Sequence, residues 1–146
     1  MAPIANEDCI FCQIVAGKEP ASFVYQDPLV VAFMDIQPIT RGHLLVVPRN
    51  HAELMHEVDP LSAAQSWQVT ARMAVALRRS GLPCEGVNVF VADGEAAFQD
   101  IPHFHVHVIP RYTGDGFSLE FPPGYGDPVS RHELEAVATA VRNAAD

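Results

Sequence analysis

Between Ala97 and Arg111, His103, His105 and His107 alternate strictly with Phe104, Val106 and Val108. That alternation predicts a β-strand carrying three imidazoles on one face and three apolar side chains on the other. Alternate residues of a strand lie roughly 6–7 Å apart, close enough for neighbouring rings to share one bound anion or metal ion. A buried ring without a hydrogen-bond partner costs about 1–3 kcal/mol, so three polar rings on one face imply a use for them. Two chemistries fit the spacing. One is a three-histidine metal site with an open position that activates water. The other is a phosphate-handling site, in which one imidazole attacks phosphorus and its neighbours donate to the charge that develops.

A second constellation lies at Cys9-Ile-Phe-Cys12. A CxxC is half of a four-ligand metal site that needs two more ligands from elsewhere, and His51 and His103 are candidates by elimination among seven histidines. Buried thiols acting as small hydrophobes are the alternative; a redox pair is disfavoured because no βαβ pattern follows. Asp35 and His43 sit at the two mouths of a loop punctuated by Pro38 and Gly42. Their alternatives are a turn-capping acid and a surface histidine at a strand end.

The elements that must hold these residues follow from periodicity. Gln13–Ala16 reads as a short helix ended by Gly17, and Phe23–Tyr25 with Leu29–Phe33 as a hairpin turning at Gln26-Asp27-Pro28. His43–Val47 forms a strand stopped by Pro48. Asp59-Pro60 caps a helix running from Leu61 to Arg79, with Leu61, Val69, Met73 and Leu77 on one stripe and Trp67 and Val75 beside it, all expected in the core. Gly86–Ala92 is a further strand, leading through residues 93–97 to the histidine strand. Five strands with one long helix between the third and fourth describe an α+β domain, an antiparallel sheet covered on one face. Residues 112–128 are rich in Gly and Pro and read as an extended loop; Ser130-Arg-His-Glu133 is a capping box opening a last amphipathic helix.

The chain has 146 residues, 49% of them hydrophobic, enough for one sizeable core and a single expected domain, residues 1–146. A formal charge of -9 disfavours a groove tracking a nucleic-acid backbone. No stretch is apolar enough to span a bilayer and the start carries no signal-peptide pattern, so the expectation is a cytoplasmic protein with neither membrane nor nucleic acid as partner. Three cysteines make a poor disulfide framework.

His103-Phe-His105-Val-His107-Val-Ile109 resembles the histidine triad, His-φ-His-φ-His-φ-φ, that gives the HIT family its name. Cys9-Ile-Phe-Cys12, Phe33-Met-Asp35-Ile-Gln-Pro38, Gly42-His43-Leu-Leu-Val-Val-Pro48, His51, Asp93-Gly94 and Gln99 follow the order and spacing of the bacterial Hint-like branch. The resemblance covers residues 8–112, leaving 113–146 outside it. It implies a HIT-like fold and a nucleotide-binding hydrolase or transferase acting at the α-phosphate of adenylylated compounds, of phosphoramidate or dinucleoside polyphosphate type, with no organic cofactor. It implies His105 as the nucleophile forming a nucleotidyl-imidazole, with His107 and His43 as further catalytic donors. Asp35 would receive the ribose hydroxyls, Ile36 would line the base pocket, and Gln99, His43, His105 and His107 would also contact the purine nucleotide. Cys9, Cys12, His51 and His103 would hold a structural zinc. A homodimer formed by sheet edges and the long helix is implied as well, with the segment from Tyr112 expected to close over the partner's pocket.

Three positions depart from the branch. Ala92 stands where many members have Asn, and Phe98-Gln99-Asp100 replaces Gly-Gln-Ser/Thr. A hydroxyl there donates to a phosphate oxygen, whereas an ionised Asp100 only accepts and repels it, so Asp100 is expected to point away, to orient a histidine or to be protonated. Phe98 is expected to narrow the pocket entrance. The competing function is a nucleotide sensor with little turnover.

Overall fold

The computed structural model describes residues 2–145; Met1 and Asp146, the two ends of the expected domain, lie outside them. Strands β1 (Phe23–Gln26), β2 (Val30–Met34), β3 (Leu44–Pro48), β4 (Gly86–Phe90) and β5 (Val106–Arg111) form one sheet of order β1-β2-β3-β5-β4. Every neighbouring pair is antiparallel. Helix α1 (Ile10–Val15) precedes the sheet, α2 (Pro60–Arg79) joins β3 to β4, and α3 (Arg131–Ala144) follows it.

The period-2 pattern sorts the central strands into two packed faces. Val30, Ala32, Leu44, Val46, Phe104, Val106 and Val108 form one cluster with Val69, Met73 and Leu77 of α2. Val31, Phe33, Leu45 and Val47 pack on the opposite face against Cys9, Phe11, Cys12 and Ile14. The long helix covers one face, as expected, and the short α1 packs on part of the other, the side that carries the histidines. Asp59 caps α2 as expected, its Oδ1 accepting from Ser62 N at 2.9 Å, and Ser130 Oγ accepts from Glu133 N to open α3.

Several sequence expectations are corrected. Leu61, Trp67 and Val75 are 73%, 63% and 46% exposed; the buried stripe of α2 is Ser62, Ser66, Val69, Thr70, Met73 and Leu77. Small side chains take the inner face of its first half, and the bulky groups turn outward. The amphipathic α3 buries none of its residues. The histidine strand starts only at Val106, because Phe104 N donates to Ala52 O at 2.7 Å and draws the chain away from β3 before His105. The alternation survives, with Phe104, Val106 and Val108 beneath α2.

Gly42 (φ +105°) is required where it stands, since a Cβ would meet Leu82 Cδ1 at 3.0 Å and Pro110 Cγ at 3.2 Å. That close approach carries the chain from the 35–42 loop into β3, and Thr40 Oγ1 pins the loop by donating to Pro110 O at 2.7 Å.

Candidate active site and metal centre

Backbone partners assign the proton on each buried imidazole. The His105 Nδ1–H donates to its neighbour's carbonyl, His103 O, at 2.7 Å. Nε2 is therefore the nitrogen that bears the lone pair in the neutral tautomer, and His105 lines a cavity of about 400 Å³. Ile39 N–H donates to His43 Nδ1 at 3.0 Å, so His43 Nε2 carries the hydrogen and donates to His107 Nδ1 at 2.9 Å. His107 then presents Nε2–H, and it lines the same cavity. One free lone pair and one free donor result, on rings whose centroids are 4.9 Å apart. Burial, with His105 and His43 as like-charged neighbours, pushes His107 down to about 4, keeping it neutral near pH 7. Burial also lowers His43, against the opposing pull of Asp35.

The remaining ring faces elsewhere. His103 Nε2–H donates to Pro48 O at 2.8 Å, which leaves Nδ1 as a lone pair. That nitrogen lies 3.3 Å from Cys9 Sγ and 3.6 Å from Cys12 Sγ, and His51 Nδ1 is 3.4 Å from Cys12 Sγ. Ligand atoms of Cys9, Cys12, His51 and His103 all lie within 4.8 Å of one another. A tetrahedral zinc with ordinary Zn–S and Zn–N bonds imposes S···N edges of roughly 3.5 Å, so the donor set and its spacing fit that ion. Burial raises the Cys12 thiol, which a coordinated cation reverses. Because His103 turns to this cluster, the three strand imidazoles do not converge on one metal, and the three-histidine metal reading is corrected.

A second group, Asp35, His43 and His107, also has its polar atoms within 4.8 Å. It is poorly suited to a metal, because the Ile39 N–H occupies His43 Nδ1 and makes Nε2 a donor.

The other expected site residues divide. Asp35 lines the cavity, with Oδ1 accepting from Gln37 N at 2.8 Å and Oδ2 at 3.5 Å from His43 Nε2. Ile36 lines it too and is 94% exposed, a rim residue. His43 is 2% exposed and off the cavity wall, so it acts on a ligand through His107 and Asp35, a correction to its expected direct contact. Gln99 is likewise corrected: Oε1 accepts from Gly94 N, while Nε2 donates to Glu53 O and Ile101 O, so its side chain has no N–H left to donate to a nucleotide. Phe98, at φ +68° and 85% exposed, does not line the cavity and so does not narrow it. Asp100 points in: its Oδ1 is 3.6 Å from His105 Nε2.

Phe11 had no signal beyond its place inside the CxxC. Its ring packs edge-on against both His103 (5.8 Å) and His105 (5.2 Å), so one aromatic braces the metal cluster and the free imidazole together. Ile39 and Pro48 act through backbone atoms, which residue type does not announce.

Residues 16–114 match the family model described as the HIT domain. The chain belongs to the HIT family. Among HIT relatives, Protein hit of Bacillus subtilis is 38% identical over 136 residues, 92% of each chain. An adenosine 5'-monophosphoramidase of Schizosaccharomyces pombe is 34% identical over 134 residues, covering 91% of this chain and 95% of that one. The crystal structure of a zinc-bound histidine triad family protein from Mycobacterium smegmatis is 38% identical, covers 94% of this chain and 97% of that one, and superposes with a TM-score of 0.73. The HIT fold and its histidine triad are thus shared along nearly the whole chain, and among the described residues no helix is long and apolar enough to cross a membrane.

Proposed function

We propose that the protein hydrolyses or transfers the nucleotidyl group of adenylylated compounds through a covalent bond from His105 Nε2 to the α-phosphorus. The observation that carries this reading is the 2.7 Å bond from His105 Nδ1–H to His103 O, which makes Nε2, beside the cavity, the nitrogen that bears the lone pair of the neutral ring. A neutral imidazole needs no deprotonation to attack. As the N–P bond forms, the bond from phosphorus to the leaving group breaks and the departing atom takes a proton from solvent, while His107 Nε2–H is oriented to hydrogen-bond the charge that develops there. Water then attacks the nucleotidyl-imidazole in line, releasing the nucleoside monophosphate and restoring the ring. His43 holds His107 in the donating tautomer. The Asp35 carboxylate suits the two ribose hydroxyls, and Ile10, Ile14, Phe33 and Ile36 offer an apolar wall to a purine. The monophosphoramidase among the relatives favours a P–N bond as the one broken.

Acid- and base-quenched samples taken during turnover of an adenosine phosphoramidate, digested and analysed by mass spectrometry, test the covalent step. An adenylyl adduct on the peptide containing His105, lost in acid and kept in base, is expected. AMP binding with neither adduct nor turnover would replace this reading with the sensor.

Cys9, Cys12, His51 and His103 would hold zinc as a closed four-ligand structural centre, tying the N-terminus to the segment before β5. Free thiols in that cluster suit the reducing cytoplasm, the location we assign. We also infer a homodimer, since the outer strand β4 exposes Val89 (41%) and Phe90 (46%) and α2 exposes Trp67. Sedimentation equilibrium should give twice the chain mass for the native protein and a shift towards one chain for Trp67→Glu; a native monomer at assay concentrations would refute it.

A further inference from the structure

The cavity beside His105 is an unwelcoming place for extra negative charge. Its wall includes Glu19, Asp35 and Asp100, and neither lysine nor arginine. Asp35 is matched to hydroxyls under the reading above, but Asp100 is not. Its Oδ1 accepts from Ile101 N at 2.9 Å, which aims the carboxylate, and the same oxygen is 3.6 Å from the nitrogen that would attack phosphorus. Any phosphoryl group in line with that nitrogen brings its oxygens close to this carboxylate. A carboxylate only accepts, so it repels those oxygens and attracts an N–H or an ammonium. Polyphosphate-binding sites use Lys, Arg or a divalent cation to offset such charge; this wall offers only imidazoles, and His107 among them is neutral near pH 7.

We propose that Asp100 is a specificity-determining charge filter: it favours substrates with one negative charge at the α-phosphorus and a leaving amine bearing an ammonium, and it disfavours polyphosphate leaving groups. The inference rests on the proposed function and narrows it to phosphoramidates of basic amines. It also gives Asp100 a part in product release, because AMP gains a second negative charge beside the carboxylate once the P–N bond is broken. The side chain is 73% exposed, so an ammonium on a short tether can reach it from the rim and solvent moderates the repulsion.

The test uses three adenosine phosphoramidates whose leaving amines are ethylenediamine, propylamine and β-alanine, cationic, neutral and anionic at similar length. Wild type and Asp100→Asn are compared by kcat/KM, and AMP affinity is measured by calorimetry. The neutral amide should lower the cationic-to-anionic preference by about tenfold and tighten AMP by about fivefold, as expected for one unit charge removed at short range from a partly solvated site. Both differences should shrink at high salt. Preference and AMP affinity both within about twofold of wild type would overturn the filter, since a unit charge at that range cannot be so quiet. The outcome is separable from the covalent step. The preference compares leaving groups on one variant whatever the route of attack, and if no substrate turns over, AMP affinity alone decides. Asparagine matches aspartate in shape, and a circular dichroism spectrum like wild type confirms the fold.

Discussion

His105→Ala will lower kcat for an adenosine phosphoramidate by about 10⁴-fold or more, on the scale seen when a covalent nucleophile is removed. Alanine deletes the lone pair and leaves the substrate facing water alone. Tenfold in rate is about 1.4 kcal/mol, so this loss corresponds to at least about 5.5 kcal/mol of transition-state stabilisation. Removing a mere hydrogen-bond donor costs roughly 10²–10³ in kcat, so the size of the loss separates nucleophile from donor. His107→Ala should therefore fall in that smaller range, and His43→Ala, which removes a ring off the cavity wall whose hydrogen is donated to His107, should fall in the same range. The variant should keep its zinc and its AMP affinity within a few-fold, because the wall around the base and Asp35 is untouched. Single-turnover kinetics with calorimetry check both statements. A His105→Ala protein that turns over within tenfold of wild type would refute attack by this ring.

How much of this was legible beforehand depends on how far away each residue's partner lies. The alternation of His103, His105 and His107 with Phe104, Val106 and Val108 is a local property of extended chain, and it sorted the faces correctly even though the strand begins only at Val106. The caps of α2 and α3 are likewise local, each a side chain closing on an N–H three residues ahead. For the Cys9, Cys12, His51, His103 cluster, donor types offered the cysteine pair and candidate histidines, and the resemblance to the HIT family implied the full set.

The errors share a different origin. Gln99 was expected at the nucleotide, but its amide is spent on Gly94, Glu53 and Ile101, and a partner 46 residues away has no signature at position 99. His43 was expected to touch phosphate. Its burial is set by the turn through Gly42 and by Ile39 N–H, a backbone group present at every non-proline residue. Trp67 was expected in the core because large apolar residues usually are; Ser62, Ser66 and Thr70 took the inner face instead. The tautomers of His103 and His105 are set by the carbonyls of Pro48 and His103, and those of His43 and His107 by the Ile39 N–H, backbone groups that no residue type could reveal.

Removing the metal from the four-ligand cluster will destabilise the whole fold. Cys9 and Cys12 belong to the N-terminal segment, His51 follows β3, and His103 precedes β5, so one ion held by the four would crosslink three distant parts of the chain. A site at 1,000 times its dissociation constant contributes about 4.1 kcal/mol to stability. For a domain of this size each kcal/mol moves the melting temperature by roughly 2–4 °C, so chelation should lower it by about 8–16 °C. Cys9→Ser should do the same without chelator and become insensitive to it, because a serine hydroxyl is a poor zinc ligand. Cys84→Ser, whose thiol donates to Gly86 O outside the cluster, serves as the control and should change little. The effect extends to the site: His103 O is the acceptor that sets the His105 tautomer, so a His103 freed from its metal holds that carbonyl less firmly. Cys9→Ser should then lose kcat by about 10–100-fold even at temperatures where it stays folded, the usual cost of loosening a supporting contact around such a centre. Calorimetric melting with elemental analysis for zinc measures the first effect and steady-state kinetics the second. Substoichiometric zinc in the native protein, together with a melting temperature unmoved by chelator, would reduce Cys9 and Cys12 to buried thiols.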